Sequence, residues 1–416
     1  MNNYLESKSQ INDLLLSMTQ LHPKYIDLSL DRLEKLLFKL GQPQKRLPPV
    51  VHIAGTNGKG STLIFIKKIM EEYGLKIHCY TSPHLINFNE RIVLAGKQID
   101  NKLLLKLLKE VIKVNNNESI TFFELTTAAA LLSFSRKKAD FCLIETGLGG
   151  RLDATNILKK KQLNIITSIG LDHEEFLSPY LKNIVAEKCG ILDKNTAVVI
   201  SKQNTYYKNS LLKNKVKDIK CEVLKLTHIP KNSKLGLQGK HQKKNAKTAV
   251  TAVRYLLKGI SNNIIKKGIN KAVWPGRIQE ITLKENFKKR LNKTFIDGAH
   301  NLEGAKIIND YLNELNLGKW NFIFGMINNK NPIKFLEIIE NHIEKIIFVP
   351  INNQKNSFDP QELHQLFKKK PFISKSENNL KNAIEKTSKK KPLFITGSLY
   401  LMGEFLKLNS ENEIIY

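Results

Sequence analysis

Val50-Val51-His52-Ile53-Ala54-Gly55-Thr56-Asn57-Gly58-Lys59-Gly60-Ser61 decides how the rest of this 416-residue chain is read. An apolar run, a glycine-rich turn, a lysine and a hydroxyl at the start of a helical pattern are the layout of a phosphate cradle. Glycines let backbone N–H groups turn inward and approach a polyphosphate, and the helix that follows adds its positive N-terminus. Lys59 is expected to reach terminal phosphate oxygens, with Ser61 helping to hold them or a metal. The spacing departs from the common nucleotide loop, which has four residues between its first glycine and Gly-Lys-Ser/Thr. Here two stand there, and Gly60 is inserted before the hydroxyl. The stretch implies a chain that handles a nucleoside triphosphate.

Outward from the cradle, short apolar runs alternate with helical periodicity. Leu63, Ile66, Ile69, Met70 and Tyr73 keep helical spacing and stop at Gly74. Strands are expected over 76–80, 139–144 and 164–168, with amphipathic helices over 103–114 and 125–134. The strands deliver Thr81-Ser82-Pro83-His84, Glu145-Thr146-Gly147-Leu148-Gly149-Gly150-Arg151 and Gly170-Leu171-Asp172-His173 at their C-terminal ends. That is the ligand edge of an open parallel sheet. A second alternation starts past Trp274-Pro275-Gly276-Arg277, with strands over 294–296, 321–324, 346–349 and 393–396, and carries no second lysine-bearing loop. The expected fold class is α/β. An N-terminal P-loop-type ATPase domain with a mainly parallel sheet (1–284) precedes a smaller Rossmann-like, doubly wound domain (285–416) that closes over the nucleotide.

Composition narrows the partners. No apolar run approaches the length of a membrane span, and the polar start, Met1 to Gln10, is neither a secretory signal nor an arginine-rich transit peptide. Cys79, Cys142, Cys189 and Cys221 lie far apart, which suits free buried thiols in a reducing cytoplasm. Lys and Arg total 67 against 38 acids, a net charge of +29, which permits nucleic-acid binding. The excess is mostly scattered lysine, with no nucleic-acid motif beside it, so compositional bias is the competing explanation. Glu145 and His173 suit Mg²⁺ when paired with a phosphate loop, yet neither alone points there, and a single His at a strand end is more often a capped surface or core residue.

The segments quoted so far resemble the folylpolyglutamate synthase/dihydrofolate synthase branch of the Mur ligase family. To them are added Leu152-Asp153-Ala154-Thr155-Asn156, Glu187-Lys188-Cys189-Gly190-Ile191, His241-Gln242 with Asn245, and Asp297-Gly298-Ala299-His300-Asn301. They run in the family's order along the whole chain. The resemblance implies ATP-driven amide ligation: a substrate carboxylate attacks the γ-phosphate, and the amine of L-glutamate then attacks the acyl phosphate. The substrates it implies are dihydropteroate, tetrahydrofolate forms, L-glutamate and ATP, handled by a cytoplasmic monomer with no nucleic-acid or membrane partner.

Site residues follow by motif. Lys59, His173 and Lys188 are the catalytic candidates. Asn57, Gly58, Lys59, Gly60, Ser61, Asn245, Arg277, Asp297 and His300 are expected at the nucleotide, although Arg277 also suits a domain-interface ion pair. Ser82, Glu145, His173 and a carbamoylated Lys188 are expected to hold two Mg²⁺ ions, with K⁺ or another monovalent cation as a further candidate. For Lys188 the plain alternative is a surface lysine near Glu187. Tyr25 to Leu30 (Ile26, Asp27, Leu28 and Ser29 within it), Thr121, Phe122, Phe123, Glu124, Leu152, Asp153 and Ala154 resemble the pteridine pocket. Phe122 and Phe123 equally suit plain core. The family's Asp-Lys-Asp loop reads Asn329-Lys330-Asn331 here, so roles tied to its acids do not carry over. A monofunctional polyglutamylase, another Mur-type ligase and a nucleic-acid-stimulated ATPase are the rival readings.

Overall fold

The computed structural model describes residues 2–24, 26–283, 291–352 and 354–410. Tyr25 and the stretch 284–290, where the expected boundary between 284 and 285 falls, lie outside the described residues. The chain forms two compact units, Met1–Gly236 with Lys243–Ala272, and Leu237–Gln242 with Val273–Tyr416.

The first unit holds a seven-stranded sheet of β1 (Val50–Ala54), β2 (Ile77–Tyr80), β3 (Ile92–Leu94), β4 (Lys97–Gln98), β5 (Phe141–Glu145), β6 (Leu163–Ile166) and β7 (Val198–Ile200). Their order is β4-β3-β2-β5-β1-β6-β7. The five strands from β2 to β7 run parallel, and β3 and β4 add an antiparallel edge. β1 and β6 are buried along their full length, as strands covered on both faces must be. β1 lies between β5 and β6, so the chain reverses its winding direction around the C-terminal end of β1. Open α/β sheets bind ligands at such a switch point.

Helices α1 (Asn2–Met18), α2 (Asp31–Lys39), α3 (Lys59–Glu72), α4 (Asn101–Asn115), α5 (Phe122–Arg136), α6 (Leu181–Cys189), α7 (Tyr206–Ile219), α8 (His241–Leu256) and α9 (Asn262–Asn270) complete this part of the chain. α3 is buried almost continuously from Gly60 to Met70, so it is an interior helix rather than an amphipathic one. α5 begins at Phe122, three residues earlier than apolar spacing alone suggests. Thr121 and Glu124 form a reciprocal capping box there, which satisfies two amides of the first turn. β6 ends at Ile166, two residues short of the expected strand. Thr167 and Ser168 turn aside, and the Ser168 carbonyl accepts from the Thr56 and Asn57 amides.

In the second unit β8 (Gln279–Glu280), β9 (Thr294–Asp297), β10 (Trp320–Phe324), β11 (Ile343–Phe348), β12 (Ile373–Ser376) and β13 (Leu393–Thr396) form a sheet of order β12-β11-β10-β13-β9-β8. All pairs are parallel except β8 against β9. Its core is aromatic: Phe295, Trp320, Phe322, Phe324, Phe348 and Phe394 are buried, with several ring centroids 5.5–6.3 Å apart. Among the described residues no helix is long and apolar enough to cross a membrane. The four cysteines are free and buried, and burial pushes the Cys79 and Cys189 thiols up to about 12.

Candidate active site

The turn between β1 and α3 is built as the sequence implies. Gly55 and Gly58 have φ of +154° and +85°, and a Cβ on either would collide with a neighbour. On Gly55 it would lie 1.8 Å from Thr167 Oγ1, and on Gly58 2.6 Å from Asn245 Oδ1. Only glycine fits both positions. Asn245, almost 190 residues further along the chain, therefore packs directly on the loop. Lys59 Nζ folds back to donate to the carbonyls of Gly55 (3.0 Å) and Thr56 (3.3 Å). It also lies 3.9 Å from Glu145 Oε1. Gly60 and Ser61 open α3 and are buried.

Glu145 ends β5 with its side chain only 7% exposed. Its other oxygen accepts from the Ser82 amide at 3.4 Å, which brings the C-terminal ends of β2 and β5 together. The loop after Ser82 is gathered by Glu90, whose carboxylate accepts from the amides of Leu85, Ile86 and Asn87 at 2.7–2.8 Å. His173 follows β6 at a left-handed φ of +53° and its amide donates to Asp172. Among the described residues no three His, Cys, Asp or Glu side chains gather as metal ligands. The oxygen donors present suit a hard cation such as Mg²⁺: Glu145 is a buried carboxylate, and the neighbouring Ser82 carries a hydroxyl.

Lys188, on α6, is 5% exposed and not a surface lysine. Its Nζ donates to the Gly55 carbonyl at 3.0 Å, the same oxygen that Lys59 reaches. Burial, helped by the nearby Lys59 charge, pulls its pKa down to about 7, against the opposing pull of Asp172, Asp153 and Glu187. The lowered pKa favours the neutral amine, the form that reacts with CO₂. Glu187 points elsewhere: it accepts both Nε and Nη2 of Arg151 at 2.9 and 2.8 Å. The loop 147–151 is clamped on α6, since a Cβ on Gly150 would lie 2.6 Å from the Glu187 carbonyl.

The expected substrate segments meet in part. Ile26, Asp27, Leu28 and Ser29 lie half-buried in irregular backbone. Asp27 is tied to α5 by Arg32, which the motifs did not single out. Its Nη1 donates to Asp27 Oδ2 (2.8 Å), Nη2 to the Asp27 carbonyl (2.9 Å) and Nε to Glu124 Oε2 (3.2 Å). Phe122 and Phe123 are half-buried against the core, Phe122 edge-on to Phe88 and under the Arg91 guanidinium. Phe123 sits where a Cβ on Gly147 would lie, 2.5 Å from its ring. Leu152 is half-buried and Ala154 buried. Asp153 is buried and already engaged, accepting from the amides of Leu148 and Thr155 and from the Thr155 hydroxyl. Burial raises its pKa although those hydrogen bonds oppose the rise.

In the second unit Asp297 is buried and accepts from the amides of Ile278 (2.7 Å) and Ala299 (2.8 Å). Burial raises its pKa, against the pull of the nearby Arg277 charge. His300 Nδ1 lies 2.9 Å from the Gly298 carbonyl, and the Arg277 guanidinium packs against Gly298, so Arg277 lies beside the turn that carries Asp297 and His300. Asn331 accepts from the Lys334 amide at 3.0 Å and caps the helix Pro332–Ile339. Asn caps as well as Asp does.

Two family models match the chain: the Mur ligase middle domain over residues 53–265, and the dihydrofolate synthetase C-terminal domain over residues 279–408. Dihydrofolate synthetase of Saccharomyces cerevisiae is 31% identical over 425 residues, covering 93% of this chain and 99% of the relative. Dihydrofolate synthase/folylpolyglutamate synthase of Bacillus subtilis is 29% identical, covering 91% and 94%. Among solved structures, Escherichia coli FolC in complex with DHPP and ADP superposes with a TM-score of 0.84 at 25% identity, covering 95% of this chain and 97% of that one.

Proposed function

The chain belongs to the dihydrofolate synthase/folylpolyglutamate synthase branch of the Mur ligase family, and on that premise we propose that it joins L-glutamate to dihydropteroate and then to folates. ATP is the energy source. The carboxylate of the acceptor attacks the γ-phosphate to form an acyl phosphate and ADP. The glutamate amine then displaces phosphate at the acyl carbon, forming the amide. The observation that carries this reading is the Gly55–Ser61 turn with Lys59 against the buried Glu145 at the switch point of the sheet.

Two anions must meet, so cations must screen them. Lys59 is placed to turn from the loop carbonyls to phosphate oxygens. Ser82, Glu145 and His173 would hold a Mg²⁺ ion, which when bound would supply charge neutralisation for the phosphates. Lys188, its pKa lowered by burial, takes up CO₂ through its neutral amine, forming an N–C bond and releasing a proton to solvent, and the resulting carbamate would be an anionic ligand for a second ion. In this reading Asn57, Gly58, Gly60, Ser61 and Asn245 form the nucleotide face of the first unit. Arg277, Asp297 and His300 are the nucleotide contacts of the second. Ile26–Ser29, Thr121–Glu124 and Leu152–Ala154 face the pteridine. A monovalent cation and a monomeric, cytoplasmic protein acting on small molecules alone complete the proposal.

The assay is purified protein with ATP, Mg²⁺, glutamate and either dihydropteroate or tetrahydrofolate, with products read by mass spectrometry. Glutamate-dependent addition to both acceptors is expected. ADP release without any glutamylated product overturns the reading. A narrower reading also has support, because the matched C-terminal model and the yeast relative are both named for dihydrofolate synthetase alone. Addition to dihydropteroate but not to tetrahydrofolate selects it.

A further inference from the structure

Glu124 is 2% exposed, and its two oxygens have opposite fates. Oε2 accepts three donors: Arg32 Nε at 3.2 Å, the Thr121 amide at 2.8 Å and the Thr121 hydroxyl at 2.7 Å. Oε1 is buried with no hydrogen-bond partner. A buried carboxylate oxygen left without a donor is costly, and such groups mark places where a ligand completes the set. The Thr121 capping box and the Arg32 fork together turn Glu124 this way, and only the fork also reaches Asp27. The Arg32 Nε takes Oε2, while its two Nη groups hold both the carboxylate and the carbonyl of Asp27. Arg32 lies five residues from Asp27 but 92 from Glu124. It therefore joins an irregular segment, with little hydrogen-bonded structure of its own, to the first turn of α5.

We propose that Arg32 is a positioning residue for the acceptor substrate: it fixes Asp27 and Glu124 as one acceptor edge, with Glu124 Oε1 aimed at an N–H donor of the bound heterocycle. An edge of carboxylate oxygens selects a flat ring that presents amino and ring N–H groups, as a 2-amino-4-oxo-pteridine does. A guanidinium suits the role because its five donors sit in a rigid fork. A lysine ammonium reaches one partner and leaves the other loose. This inference rests on the pteridine reading above and extends it to a residue that does not itself touch the ring.

The test measures Arg32→Gln and Arg32→Lys for KM of dihydropteroate, ATP and glutamate, for kcat, for dihydropteroate binding by calorimetry, and for melting temperature. A hydrogen bond to a charged group is worth about ten- to a hundredfold in affinity. Arg32→Gln is thus expected to raise the dihydropteroate KM and Kd by about ten- to a hundredfold, with the KM of ATP and of glutamate within twofold. Arg32→Lys should fall between it and the wild type. Glu124→Gln should give the same selective defect and add little more in combination with Arg32→Gln, because the two act through one edge. A dihydropteroate KM within twofold of wild type in Arg32→Gln overturns the inference alone. An equal fall in melting temperature, in kcat and in the affinity for all three substrates also overturns it, since that is a purely structural role. A wild type that neither binds nor glutamylates dihydropteroate overturns the pteridine reading, and this inference with it.

Discussion

Two strand-to-helix turns, one in each unit, solve the same problem in opposite ways. After β1 the chain passes through Gly55 and Gly58 into α3, and Gly58 brings no side chain to the helix's first amides. After β9 it passes through Asp297-Gly298-Ala299-His300-Asn301 into the helix Leu302–Leu315. There the Asn301 side chain accepts from the Gly304 amide at 2.9 Å, and Asp297 supplies a buried carboxylate to the amides of Ala299 and Ile278. A helix N-terminus attracts negative charge in either case. The second turn carries its own anion; the first gathers two lysines around one carbonyl and suits an anion brought from outside. Equivalent positions in two α/β sheets thus differ in whether side chains of the turn itself take up its backbone amides.

The largest break in that contrast comes from removing the cation of the first turn. Lys59→Ala is expected to lower kcat by about 10²–10³-fold or more, with circular dichroism and melting temperature near wild type. Turnover within tenfold of wild type would reassign the loop. Next in size is Lys188→Ala. Its loss of activity should be partly restored by formate or acetate, which supply the missing oxygen ligand, and wild-type activity should fall when CO₂ is stripped. Carbon-13 NMR of protein equilibrated with labelled bicarbonate checks this directly, through a carbamate resonance absent from the variant.

Glu145→Gln and His173→Ala sharpen the comparison at the metal. A magnesium titration of activity should shift its midpoint upward by about tenfold or more in each, since even indirect partners of a metal ligand commonly cost that much. Lys188 also gives a pH signature. Its folded pKa is about 7 and its unfolded value the ordinary 10.4 or so, so the unfolded chain binds more protons between those limits. Stability therefore rises with pH across roughly 7 to 10 on account of this residue. In CO₂-free buffer the melting temperature of wild type relative to Lys188→Met should climb from pH 7 to pH 9.5, and a flat difference would refute the shift. The smallest effect belongs to the self-sufficient turn. Asn301→Ala removes a cap worth about 1 kcal/mol and should lower the melting temperature by a few degrees while leaving the KM of ATP near wild type.

What was legible in the sequence was mostly local. The cradle and the strand that delivers Glu145 follow from runs of fewer than fifteen residues, and the mainly parallel character of the sheets, though not their strand order, follows from the alternation of such runs with helices. The start of α5 was missed because the capping box at Thr121 and Glu124 overrode apolar spacing. The tight links around the site span the chain: Lys188 to the Gly55 carbonyl, Asn245 against Gly58, Arg32 to Glu124. Only topology brings these pairs together, and no periodicity encodes them. Family motifs pointed to Lys188 and Asn245. Arg32 stood in no motif, although an arginine at the first turn of α2, close after the segment holding Asp27, was the available signal. For Asp153 the motif named the residue without its surroundings, and the side chain is engaged by its own loop.

Asn331 carries a consequence for how such a protein can change over time. Because an asparagine caps the helix Pro332–Ile339 as an aspartate would, folding places no demand on the charge at that position. A lineage can trade acid for amide there in one mutational step and keep the same backbone. The loop Gly325–Asn331 is therefore a place where the local electric field drifts, or is tuned by selection, independently of the architecture that holds it.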